Sequence, residues 1–143
     1  MSQAIVDAAT APILAYNAKD WDGVARTITS DALYDEVGNR RVARGTSDVI
    51  TSWKGWAEAM PDSNATIESA LVSGDTVILE LTWRGTHTGP LRTPGGDLPA
   101  TGNTFEGRAC MIVDVSGGQA RVMRHYFDMV TMLTQLGIMA AAA

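Results

Sequence analysis

Apolar residues recur every three or four positions in the first half of this chain and every two in much of the second. Ile5, Val6, Ala9, Ile13 and Tyr16 share one helical face, which predicts a first helix to about Ala18. Pro12 has no N–H to give the helical ladder, so a kink there, or a restart after Thr10, is expected. A short helix over 21–29 and a strand over 31–37, closed by a Gly-Asn turn, follow. Thr46 fits an N-cap, with Asp48 in the first turn, for a third helix to Met60. Val49, Ile50, Trp53, Trp56, Ala57 and Met60 form its apolar stripe, and Pro61-Asp62 stops it.

Beyond Pro61 the period drops to two, predicting strands near 65–72, 76–86, 104–115 and 120–127. Ser73-Gly74-Asp75 and Ser116-Gly117-Gly118 supply hairpin turns, where glycine takes the positive φ. A last short helix is expected over 129–136. Helices first and strands afterwards mean an α+β fold: a curved antiparallel sheet with three helices from the N-terminal half on its concave face. Such a sheet encloses a cone-shaped cavity suited to a small apolar ligand. One domain over 1–139 is expected, with the alanine run 140–143 as a disordered tail.

With 45% hydrophobic and 19% charged residues, the balance is that of a globular protein. A formal charge of −5 argues against a nucleic-acid partner, because phosphate binding needs a concentrated basic surface. The densest basic cluster, Arg40, Arg41 and Arg44, adjoins Asp35 and Glu36 and reads as a balanced, solvated face. No apolar run approaches the roughly 20 residues that span a bilayer, and the N-terminus lacks a secretion signal's basic start and long apolar core. The single cysteine, Cys110, sits in the apolar run ACMIV and reads as a buried thiol. A cytoplasmic protein is expected.

Several short motifs add to this pattern. YNAKDWDGVA (16–25), AMPD (59–62), GTHTG (85–89), PATG (99–102), Asp128 after the last strand and QLG (135–137) occur in an order that spans nearly the whole chain. The set resembles the SnoaL-like polyketide cyclase branch of the nuclear transport factor 2-like superfamily. The resemblance implies an enzyme that works on a small apolar polyketide-like substrate without metal or cofactor, and a homodimer. The aldol cyclases of that branch carry an acid/base aspartate late in the final strand and a partner histidine in the strand before. Those positions fall at His125 and Met111 here, so both depart from the pattern. Aligned instead on ketosteroid isomerases, the three catalytic positions fall at Pro12, Glu36 and Met111, and only the base survives. No matching positions emerge for the Asp–Arg–Asp relay of limonene-type epoxide hydrolases.

The candidate acid/base is therefore His125, whose imidazole exchanges a proton near neutral pH and shares a strand face with Met123 and Phe127, and with Arg121 at the outer end. A core histidine with both nitrogens hydrogen-bonded is the competing reading. Alternation sends only one of Asp35 and Glu36 inward, where lost water would make it a stronger base and a partner for His125. The isomerase alignment favours Glu36; the alternative leaves both exposed beside the arginines. Asp128 is either a further acid/base group or the N-cap of the last helix. His87 is either a donor at the cavity mouth or a brace for the loop 88–103, a candidate lid. Tyr16, Trp53, Trp56, Met60, Met111, Met123 and Phe127 supply flat or flexible apolar surface for a substrate. Two histidines with no His-x-His or His-x3-His spacing do not make a metal site. The leading expectation is a tailoring cyclase or isomerase; an epoxide or ester hydrolase and a non-catalytic binding domain are the alternatives.

Overall fold

The computed structural model describes residues 2–93 and 95–139. In chain order its elements are α1 (Ser2–Asn17), α2 (Trp21–Thr27), β1 (Ile28–Glu36), a 3₁₀ turn (Val37–Asn39), β2 (Arg41–Arg44) and α3 (Thr46–Ala59). They continue with β3 (Asn64–Ser73), β4 (Thr76–Thr86), β5 (Leu91–Thr93), β6 (Gly96–Leu98), β7 (Thr104–Ser116), β8 (Gln119–Phe127) and α4 (Met129–Gln135). The expected tail 140–143 lies outside the described residues.

α1 runs unbroken through Pro12, without the restart expected after Thr10. Packing of Ala9 before it and Ile13 after it into the core holds both sides of the proline in one helix. Asp20 caps α2 by accepting from the Gly23 N–H at 2.9 Å. Thr46 is not an N-cap: Gly45 holds that position, with φ +86°, and the Thr46 hydroxyl donates to the Thr29 carbonyl at 3.0 Å. The basic cluster is partly strand, β2, an edge strand beside β1. Loop 88–103 is not wholly irregular either, since β5 and β6 pair within it.

The main sheet has the order β2-β1-β8-β7-β4-β3. The α+β fold is as expected, but the sheet is mixed rather than antiparallel, because β1 lies parallel to β8. Antiparallel direction is imposed by tight hairpins, and the long connection between β1 and β8 imposes none. This pairing sets Tyr34 beside Met123 and Glu36 beside His125. The hairpins turn through Gly74, Gly117 and Gly118 at φ of 60°, 59° and 79°.

Val77, Leu79, Leu81, Met111, Val113 and Met123 form the buried face, against Ala9, Ile13, Val24, Val49 and Trp53 of the helices. Each fully buried side chain of this size contributes roughly 1.5–3 kcal/mol to folding. A second cluster (Ala59, Met60, Leu91, Phe105, Met132 and Leu136) joins α3, α4 and the β5 loop. Gln135 secures α4 by accepting from the Glu106 N–H and donating to the Glu106 carbonyl, as a paired strand would. Bulges interrupt alternation at Glu68 in β3 and at Arg121 in β8, and the β1–β8 register also shifts between Ile28 and Leu33. The β8 bulge leaves Arg121 without a cross-strand partner and exposed, so it does not continue the face of Met123 and His125.

Candidate functional site

Between the sheet and the helices lies a cavity of about 750 Å³. Its wall is built by alternation. Tyr34 of β1, Trp83 of β4, Gly107, Ala109 and Met111 of β7, and His125 and Phe127 of β8 point inward, while α1 and α3 supply Ile13, Tyr16, Trp53 and Trp56. The aromatic rings meet edge to face: Tyr16 lies 5.9 Å from Trp53 and 5.5 Å from Trp83, and Tyr34 lies 5.6 Å from Trp53. Charged groups, among them Glu68, Arg84, Glu106, Arg108 and Asp128, gather where the cavity reaches the surface.

His125 faces this cavity and is 6% exposed. Its Nδ1 lies 2.7 Å from the Tyr34 hydroxyl, and the Trp83 indole N–H donates to its Nε2 at 3.2 Å. An indole nitrogen only donates, so Nε2 is the acceptor and the ring proton sits on Nδ1, donated to Tyr34. Burial pulls the imidazole down from 6.5 to about 4, against the opposing pull of the Glu36 charge, and the ring is neutral at physiological pH. Tyr34 is pushed well above the ordinary tyrosine value by burial and then by the nearby charge of Glu36. Indole, imidazole and phenol thus form one hydrogen-bonded chain, with the charge of Glu36 acting on both Tyr34 and His125.

Glu36 is fully buried, as the inward half of the Asp35/Glu36 alternation. It lies behind the cavity wall, not on it. Its Oε1 accepts from Asn39 at 3.0 Å and from Arg41 Nη2 at 2.9 Å, and its Oε2 accepts from the Trp56 indole at 2.8 Å. A buried carboxylate needs this set of donors, since desolvation without them would cost several kcal/mol.

Other expected residues divide by where the backbone puts them. Tyr16, Trp53, Trp56, Met60, Met111 and Phe127 line the cavity, with Met111 directly opposite His125 across the β7–β8 pair. Asp35 does not face the cavity: strand alternation turns it to the outer face, in register with Arg124. Met123 is fully buried in the core and does not line the cavity. His87 is not a donor at the mouth. It is completely buried, its Nδ1 lies 3.0 Å from the Thr101 hydroxyl, and its backbone pairs with Gly102 and Asn103. That is the bracing role. Asp128 caps α4, accepting from the Val130 N–H at 2.9 Å and the Thr131 hydroxyl at 2.6 Å, and the Thr131 bond lowers its pKa. Tyr34, Trp83 and Ser63 are among the wall residues that sequence reasoning missed. Tyr34 stands two residues before Glu36 on one strand, and the same alternation identifies it; Ser63 carries no such signal.

Comparison with known proteins agrees with this geometry. The family model for SnoaL-like polyketide cyclases matches residues 6–136. The chain belongs to this family. IdmH from Streptomyces antibioticus, a candidate polyketide cyclase, is 26% identical over 93% of this chain and 98% of its own, with a TM-score of 0.78. TsrD from Streptomyces laurentii, 20% identical over 96% and 97%, shares the fold at a TM-score of 0.80. An LEH-like epoxide hydrolase from M. tuberculosis, 20% identical over 94% and 90%, does so at 0.72. No curated protein matches the sequence. Among the described residues of this SnoaL-like chain no three His, Cys, Asp or Glu side chains gather as a metal-ion set, and no helix is long and apolar enough to cross a membrane.

Proposed function

We propose that this SnoaL-like protein is a cyclase or isomerase that acts on a polyketide-like apolar small molecule by acid/base chemistry of its own side chains. The observation that carries the reading is His125 on the wall of an aromatic cavity, coupled through Tyr34 to a buried carboxylate. Neutral at pH 7, Nε2 takes a proton from a carbon acidified by neighbouring carbonyls, displacing the long indole contact. The imidazolium that forms is held by Tyr34 and by the charge of Glu36, then returns the proton to the closed or rearranged product. Met111, opposite, adds no charge, so folding the flexible substrate against the aromatic wall supplies the rest of the rate. Incubation with a synthetic β-polyketone methyl ester, followed by absorbance and mass spectrometry, tests this. We expect His125→Gln to slow ring closure at least about 100-fold with little change in melting temperature. No acceleration over buffer by the wild-type protein would refute it.

The engagement of both ring nitrogens favours a second reading, a binding domain without turnover, in which His125 only satisfies its neighbours. Tight binding of the same ester with no acceleration would be its signature. The hydrolase alternative has less support, because Glu36 is engaged by three donors behind the wall and leaves no carboxylate beside His125 to activate water. The homodimer we propose uses the outer sheet face, where Leu71, 60% exposed, is in register with Ile78, and Ile78 with Ile112. Light scattering should give a dimer mass, and Leu71→Glu a monomer.

A further inference from the structure

The cavity holds a second polar station, built from Tyr16 and Ser63. Their hydroxyl oxygens lie 2.6 Å apart, both side chains line the cavity, and both are nearly buried, at 4% and 6% exposure. Two hydroxyls bring two hydrogens, and the bond between them uses one. Whichever oxygen donates, the other keeps an O–H with no protein acceptor among the described residues. A buried donor without an acceptor is costly, and wall groups of this kind are satisfied by what fills the site. The His125 imidazole is different, because its Nδ1 hydrogen is taken by Tyr34 and its Nε2 already accepts from Trp83.

Three further contacts hold the pair in place. The Lys19 ammonium donates to the Ser63 carbonyl and lies 4.5 Å over the Tyr16 ring. The Ser63 N–H donates to the Met60 carbonyl at 2.9 Å, fixing the turn after α3. Trp21, Trp53 and Trp83 pack edge to face on Tyr16, so its ring cannot swing to find another partner. Tyr16 is pushed up to about 12 by burial and stays a donor throughout the working pH range.

We propose that Tyr16 and Ser63 form a carbonyl-binding station that gives its uncommitted O–H to a ketone, ester or enolate oxygen of the ligand. It rests on the reading of the cavity as an apolar ligand site, and it narrows the ligand class to molecules with an accepting oxygen on the side facing α1. Because the hydrogen is shared, Tyr16→Phe leaves Ser63 free to donate and Ser63→Ala leaves Tyr16 free. Only the double variant loses the donor.

The test uses 1-tetralone and its hydrocarbon analogue tetralin, titrated by quenching of tryptophan fluorescence. In the double variant the ratio of tetralone to tetralin affinity should fall about tenfold, the worth of one hydrogen bond, while each single variant keeps it within about threefold. Unchanged tetralin affinity reports an intact cavity. The carbonyl stretch of tetralone bound to the wild-type protein should lie below its value in an apolar solvent, a measurement that needs no variant. An unshifted band, an unchanged ratio in the double variant, or full loss in either single variant would overturn the station while leaving the cavity reading in place. Failure of tetralin itself to bind the wild type would overturn both.

Discussion

Acidification offers the sharpest check on His125. Its imidazole titrates near about 4 in the folded protein against 6.5 in an unfolded chain. Between those values the unfolded state binds a proton that the folded state refuses, so stability falls as pH falls. The contribution is fully present above about pH 6.5, is lost through the window from 6.5 to 4, and changes no further below it. From about pH 7.5 to about pH 4.5 the loss works out at about 2.5 kcal/mol for this one residue. Asp62, Asp114 and Asp128 have lowered values, so their losses come below 3.8 and do not overlap the window. Urea unfolding at the two pH values, for wild type and His125→Gln, isolates the histidine, since glutamine keeps a donor and an acceptor but does not titrate. The wild type should lose about 2.5 kcal/mol more than the variant over this interval. Equal losses, or an imidazole resonance that titrates near 6.5, would refute the neutral, donor-saturated histidine on which the proton chain depends.

Three further substitutions test the same geometry. Glu36→Gln leaves Arg41 without its buried counter-charge; because Arg41 is itself partly exposed and can rehydrate, urea melts should show a loss of about 2–3 kcal/mol. The same substitution removes the charge that raises His125, whose titration followed by NMR should move further down. Gly107→Ala places a Cβ 2.4 Å from the outer end of the Phe105 ring at the cavity wall, and should cost about 1–3 kcal/mol and weaken tetralin binding. Asp128→Ala removes the α4 cap and should cost about 1 kcal/mol by urea melts without altering the pH profile of any turnover.

Much of this fold could be read from the sequence, because period two over β4, β7 and β8 and the helical stripes of α1 and α3 survive in the structure. Strand direction could not. Alternation shows which residues share a face, but nothing in 28–36 reveals that β1 runs parallel to β8. β2 escaped notice because four residues, two of them arginine, show no apolar period. Within the site, alternation required that only one of Asp35 and Glu36 turn inward, yet it could not say which, nor tell a carboxylate on the cavity wall from one behind it. That distinction depends on Trp56, whose indole reaches across from α3 to take Glu36 Oε2. Met123 and His87 fail as wall residues for a related reason: burial is predictable from pattern, but which buried residue touches empty space depends on the sheet's curvature.

The parallel placement of β1 against β8 has a consequence for how the protein is made. Tyr34 and His125 are separated by 91 residues, whereas Tyr16 and Ser63 are separated by 47. During synthesis the aromatic wall around α1 and α3 can therefore close before the histidine strand has been made. Docking β8 is the long-range step, slow because a large loop must close first. Until it occurs, Tyr34 has no imidazole partner and the facing edges of β1 and β7 lie unpaired. A ribosome stalled ahead of residue 119 thus presents an open apolar trough, a surface that a chaperone or a protease would find before any ligand does.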